Sequence, residues 1–394
     1  MLTERLEFAP EHDVEIFSAV PAAPAVFLLR GDDAQAEPYV SKTANLRRRL
    51  QRLLGPVEER TKKLNLRSRI RSIEYAPTGS DFESGFVLYK VLRSTFPKTY
   101  ANRLRFRFAP LVKLHLENEY PRASITTRLG QLKCRNLYYG PFASRMAAEK
   151  FMNDSLDFFK MRRCVDDLHP DPQFPGCIYS EMKMCLAPCF KGCSDAEYAA
   201  EVGRVQAYFD SGGESLAREF SAQREAASAN LAFEEAAAIH VRLEKLKPTL
   251  SQLPEIVRRL DRLSALIVQP CHLADSVTFF RVEGGAVCGP AAFSIQTSEH
   301  TKSQSMESRV QQVLDTFQPA KSASAGETME HLALLNRWYY RSRRIGEIFL
   351  ADDKGVFPMR RIVRGIGRVL RGEGPEENPA AQAQGRVGIA EIPG

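Results

Sequence analysis

The sequence predicts an α+β multidomain protein, and three observations carry that expectation. A chain of 394 residues is long enough for two or three separate cores. Short apolar runs bounded by turn residues occur near both ends, as in AVFLLR at 25–30 and SVTFFRV at 276–282, and read as strands. Between them, residues 194–247 are rich in Ala, Glu and Arg and place their apolar residues at helical spacing.

Taken in order, AVFLLR and PYVS (38–41) flank the turn-rich GDDAQAE and predict a β-hairpin. Asn45 is placed to cap a helix over LRRRLQRLL, whose Leu46, Leu50, Leu53 and Leu54 share one face. IEYAP predicts a third strand. DFESGFVLYKVLRSTF predicts a second helix, ending before Pro97 because proline disfavours helical backbone in the residue preceding it. This β-β-α-β-α order marks residues 15–110 as a small α/β domain. RFRFAPLVKLHLEN and SITTRL predict linking strands, and SRMAAEKFMNDSLDFFKMR a helix, within a region spanning 111–195 that ends in clustered cysteines. Residues 196–250 form a helical region broken at Gly212-Gly213 and bounded by Pro248. A C-terminal α/β region follows at 260–370, with strands in LSALIV, SVTFFRV and VCGPAAFSI and a helix in HLALLNRWYYRSRR. The Gly, Pro, Ala and Gln content of 371–394 predicts a disordered tail.

The net charge of +7 hides a strong asymmetry. Residues 41–113 hold 18 Lys and Arg against 5 acids, a local balance of +13, so the remainder totals −6. Such a basic block suits a polyanion, because each phosphate contact releases condensed counterions. No run approaches the ~18 apolar residues of a membrane span. The N-terminus MLTERLEFAPEHD is acidic and unlike an export signal. A soluble cytoplasmic protein with no membrane partner is expected.

Cys164, Cys177, Cys185, Cys189 and Cys193 fall within one short stretch, whereas Cys134, Cys271 and Cys288 are scattered. Without an export signal, a cluster of this kind reads as a metal site more readily than as disulfides. The gaps between successive cysteines contain no C-x2-C pair, so spacing alone gives a four-thiolate site, with zinc the plainest occupant.

These segments together carry a resemblance. A-V-F, a turn, then Y-V-S-K-T-A-N-L-R-R-R-L resembles the GIY-YIG nuclease motif as UvrC proteins carry it, with Tyr39 matching the second motif tyrosine, Lys42 the motif lysine and Arg49 the motif arginine. The resemblance implies a GIY-YIG-like domain in which a tyrosine helps to deprotonate water. The arginine would steady charge on the phosphate, and a glutamate would hold Mg²⁺ or Mn²⁺. Three positions depart from the motif. Phe27 replaces the first tyrosine, Ser41 replaces a glycine, and Leu88 stands nine residues before Pro97, where the metal-binding glutamate belongs. Leucine offers no oxygen ligand. Glu83 is the nearest acid, about 140° around the helix from that position.

YYGPF, FFKMRRC and PGCIYSEMKMCLAPC resemble the UvrC segment whose four cysteines hold a 4Fe–4S cluster, which implies Cys164, Cys177, Cys185 and Cys189 as its ligands and Cys193 as a bystander. ASANLAFEEAAAIHVRLEKLK (227–247) resembles the UVR helical hairpin that pairs with UvrB, with Phe233, Glu234 and Ala237 in the matching positions. The stretch 263–295 resembles the first strands of the RNase H-like region of UvrC, and the chain is expected to lack the second, 5′ incision. The resemblance covers roughly residues 20–290. It implies a protein of nucleotide excision repair that binds damaged double-stranded DNA and UvrB, with UvrA indirectly, and is related to the 3′-incising endonuclease. Two alternatives stand beside it: a catalytically impaired pseudonuclease acting as a DNA and UvrB adaptor, and an iron–sulfur regulatory protein.

Overall fold

In the computed structural model, residues 2–33, 35–56, 64–130, 135–251, 253–296, 304–317 and 323–374 are described; Cys134 and the tail from 375 lie outside them. A strand and a helix that the sequence reading missed open the fold, β1 (Glu4–Glu7) and α1 (Asp13–Ala19). ERLE holds a single apolar residue, so no periodicity announced β1. The expected hairpin follows as β2 (Ala25–Arg30) and β3 (Tyr39–Thr43), then α2 (Leu46–Leu54). Asn45 caps α2 by accepting the Arg48 N–H at 2.9 Å. β4 (Ser72–Pro77) and α3 (Asp81–Thr95) complete the unit, with Ser80 capping α3 through the Glu83 N–H at 3.1 Å.

These strands form an antiparallel sheet of order β1-β4-β2-β3. β2 is buried on both faces, which explains its unbroken apolar run. Phe27 and Leu29 pack toward α1 and α2, among Phe17, Leu46, Leu50 and Tyr75. Val26 and Leu28 point the other way, toward Val87 and Val91 of α3.

After α4 (Tyr100–Leu104) come β5 (Leu111–Leu114), β6 (Ala123–Thr126) and β7 (Leu137–Gly140). They are shorter than the expected strands. α5 (Arg145–Leu156) and α6 (Ile178–Glu181) lead through the cysteines to α7 (Asp195–Asp210). α8 (Glu214–Ala229) and α9 (Phe233–Ser251) then fold back on each other through Phe220 and Ala227 against Ile239 and Leu246. The expected helical run is broken at Leu231, which adopts a φ of 58°. It also continues past Pro248, which lies in the last turn of α9 and removes the one N–H that would have reached the Glu244 carbonyl. β8 (Arg258–Arg259) joins the second antiparallel sheet, of order β6-β5-β7-β8.

The third sheet comprises β9 (Ser264–Pro270), β10 (Ser276–Glu283), β11 (Ala286–Ser294) and, after α10 (Met306–Thr316) and α11 (Ala325–Tyr339), β12 (Glu347–Leu350). Its order is β11-β10-β9-β12, all antiparallel, and α12 (Met359–Leu370) packs against it. The architecture is α+β with three antiparallel sheets.

α3 belongs to two cores at once. Its Val87 and Val91 pack on the first sheet, while Phe82, Phe86 and Tyr89 join Phe280, Leu332 and Trp338 of the C-terminal unit. The loop before it makes a close backbone approach: a Cβ on Gly79 would lie 2.1 Å from the Pro270 carbonyl oxygen. Only glycine allows that contact.

Candidate functional site

The first sheet sorts the motif residues by strand alternation. Tyr39 packs on the α2 face, where Arg49 Nη2 donates to Tyr39 Oη at 2.7 Å. Arg49, the fourth residue of α2, closes its first turn, a position that the Asn45 cap fixes. Its Nε is buried and unpartnered among the described residues. Phe27, fully buried, lies directly opposite Ser41 in the β2–β3 register, with its ring centroid 6.0 Å from that of Tyr39. The other cross-strand neighbour of Phe27 is Tyr75, a buried tyrosine whose hydroxyl is pushed to a higher pKa by burial and by Glu4.

Lys42 is not part of this grouping. It projects from β3 toward the start of α3, where its Nζ donates to Asp81 Oδ1. Asp81 in turn accepts from Arg341, beyond the end of α11, at 2.6 Å. Leu88 lies on the α3 side of the sheet, against Val26 and Leu28. Glu83 is buried too, and its carboxylate accepts the Gly79 N–H at 2.8 Å. Burial lifts its pKa to about 7, and the Gly79 hydrogen bond only partly offsets that rise. A carboxyl in such a setting is engaged in closing the loop before α3. The residues around Tyr39 and Arg49 therefore do not fit a divalent cation, which requires oxygen ligands facing the phosphate.

The cysteines lie in a loop segment turned by left-handed backbone at Lys183, Ala187 and Lys191. The Cys185 thiol is pushed up to about 11, mainly by burial, with the Ala187 N–H opposing the rise and the charges of Cys164, Cys189 and Cys177 adding to it. The Ala187 N–H donates to Cys185 Sγ at 3.3 Å and Arg162 Nη1 to Cys164 Sγ at 3.5 Å. Cys193, half-buried, packs against the large core and its thiol is raised by burial, with acidic Glu197 and Asp195 and one thiol, Cys189, adding to the shift. As placed, no three His, Cys, Asp or Glu side chains among the described residues converge tightly enough to grip a metal ion. The donor types, four cysteine sulfurs of which two receive N–H donors, are those that a soft metal takes.

On α9, Phe233, Glu234 and Ala237 are all exposed, Phe233 by 65%. Val241, two turns from Phe233, is 53% exposed, so these residues outline an uncovered apolar stripe along the outside of the hairpin.

Asp81, Arg337 and Arg341 were missed by sequence reasoning. The basic run RWYYRSRR was visible, but nothing local connects it with a lysine some 300 residues earlier.

Comparison with known proteins finds a family match over part of the chain. Residues 110–208 match the family described as UvrC/Cho excinuclease, middle domain. That stretch holds β5 to β7, α5, all four expected cysteine ligands and most of α7. The particular relatives are UvrABC system proteins C. The chain is 27% identical over 265 residues to that of Rickettsia bellii (strain RML369-C), covering 67% of this chain and 41% of the relative. It is 26% identical over 268 residues to that of Rickettsia canadensis (strain McKiel), covering 66% and 41%. The chain thus spans about two fifths of the length of the curated relatives it matches. No solved structure matches it. Among the described residues no helix is long and apolar enough to cross a membrane.

Proposed function

We propose that the chain is a UvrC-like excision-repair protein that binds damaged duplex DNA and UvrB, and that its own nuclease is weak or lost. The observation that carries the second half is the surroundings of Tyr39 and Arg49. Fully buried Phe27 supplies no hydroxyl, Leu88 sits in an apolar cluster, and Glu83 is occupied by Gly79. The Arg49 guanidinium, with an unused N–H, remains suited to a phosphate oxygen, because gripping phosphate needs charge and donors but no metal. Cys164, Cys177, Cys185 and Cys189 would hold a 4Fe–4S cluster, or zinc, whose contribution is to brace a segment poor in helix and strand. The exposed Phe233 stripe would meet the helical hairpin of UvrB.

The test is incision of lesion-bearing duplex DNA by the full chain with UvrA, UvrB and Mg²⁺ or Mn²⁺. The expected result is salt-sensitive binding with little or no nicking 3′ of the lesion. Robust metal-dependent cleavage that Tyr39→Phe abolishes would overturn the impaired-nuclease reading.

A further inference from the structure

The start of α3 gathers charge from two distant parts of the chain. Lys42 from β3 and Arg341 from beyond α11 both bond the Asp81 carboxylate, one on each oxygen. Arg337, one turn earlier on α11, is exposed and has no hydrogen-bond or ion-pair partner among the described residues. Burial pushes the Asp81 carboxyl up, yet Lys42, Arg341 and Arg337 together outweigh it and hold the group below its usual range. Three cations thus surround one carboxylate and leave a local surplus of positive charge.

The same residues enclose a small notch. Lys42, Asp81, Gly85, Arg337, Trp338 and Arg341 line a cavity of about 40 Å³. One water needs only ~10–15 Å³ on that measure, so the notch has room for a larger polar group. Gly85 keeps its wall low, since a Cβ there would touch nothing within 4 Å. Trp338 gives it a fixed side, because the ring is buried and its Nε1 donates to the Ile345 carbonyl at 2.9 Å. A preformed concavity with surplus charge and an arginine that makes no hydrogen bond among the described residues suits an oxyanion.

We propose that this notch takes a backbone phosphate of a nucleic-acid strand, with Asp81 as the internal counter-ion that the phosphate replaces. Lys42 is then a phosphate-gripping residue on the α3 side of the sheet, separate from the Tyr39–Arg49 pair. Residues 337–341 gain a role as a second point of contact, set across α3 from the first sheet. Two such contacts on opposite sides of one helix fix the direction of a duplex as well as its affinity. The proposal rests on the DNA-binding reading above and refines where the strand lies.

The experiment measures binding of a labelled duplex to the full chain across a salt series, by fluorescence anisotropy. Arg337→Gln is the primary variant, because Arg337 is exposed and makes no hydrogen bond or close ion pair among the described residues. It should weaken binding several-fold and lower the slope of log K against log salt by about 0.9, the loss of one phosphate contact. Asp81→Asn should do the opposite and tighten binding at low salt, an effect that a merely structural ion pair would not produce. Unchanged affinity and slope in both variants, with Arg49→Ala still weakening binding, would overturn the notch while leaving the DNA-binding reading in place. If the wild-type chain binds no duplex, that reading fails, and the notch is judged by inorganic phosphate alone. Phosphate should then raise the melting temperature of the wild type above that in chloride at equal ionic strength, and not that of Arg337→Gln. Equal shifts in the two proteins would overturn the site.

Discussion

Arg49 shows how a single side chain can be positioned and yet left incomplete. One of its N–H groups reaches Tyr39 Oη, while the buried Nε finds nothing among the described residues. An unpaired buried donor costs about 1–3 kcal/mol, a cost that an oxyanion placed there would recover. Leu88 and Phe27 show the reverse: both are well packed and chemically silent. The thiols lie between these cases. Cys185 is half-buried, and burial together with the charges of neighbouring cysteines raises its pKa, so as free thiolates the four would oppose one another. A metal that takes them as thiolates removes that conflict. Protein purified without oxygen should therefore carry iron and absorb broadly in the visible. Cys185→Ser should lose both the colour and much of the soluble yield. Stoichiometric zinc with no iron, after anaerobic expression, would defeat the iron–sulfur assignment.

At the scale of elements, the hairpin of α8 and α9 separates packing from display. Leu246 and Ile239 face α8, whereas Phe233, Ala237 and Val241 face outward. Truncating Leu246, which is fully buried, to Ala should cost about 2–5 kcal/mol of stability. Phe233→Ala should leave thermal stability almost unchanged yet reduce UvrB affinity by about 2 kcal/mol, the scale of a central aromatic anchor. Unchanged affinity by calorimetry would mean that α9 displays no partner surface. The legibility of each element follows from the same physics. The hairpin of β2 and β3, the Asn45 cap and α2 were readable because apolar runs, turn residues and a capping side chain all lie close together in sequence. β1, β8 and β12 were not, since strands this short take their stability from neighbours; α12 was legible in the helical spacing of Ile362, Ile366 and Val369 but was not read as a helix. Of the site, Tyr39 and Arg49 were readable together from a local motif. The link from Lys42 to Asp81 and Arg341 was not, because it is made in three dimensions between segments that share no pattern.

Across the whole molecule, α3 couples the first sheet to the C-terminal unit through a buried polar seam. Glu330 of α11 accepts from Tyr89 at 2.9 Å and from Tyr100 at 2.7 Å, while Arg93 pairs with Glu327. His331 lies beside them, with ring centroids 5.3 Å from Phe86 and 5.2 Å from Tyr89, and its Nδ1 accepts the Val287 N–H at 3.0 Å. That bond requires a neutral ring, because a protonated imidazole has no acceptor. Burial is the main reason its pKa falls to about 4; Arg93 and Lys90 push the same way and Glu327 opposes them. Between pH 4 and 6.5, the ordinary imidazole value, the unfolded chain therefore binds more protons at this position than the folded one. The stabilising contribution is complete above pH 6.5 and is lost as the pH falls toward and through 4. By pH 5 the loss should reach about 2 kcal/mol. His331→Gln keeps an oxygen able to accept the Val287 N–H and removes the titration. Denaturant unfolding at pH 7.5 and pH 5 should show the wild type losing about 2 kcal/mol more than the variant. Equal losses would mean that His331 does not govern the acid stability of this seam, and that the α3 junction opens, if at all, by some other route.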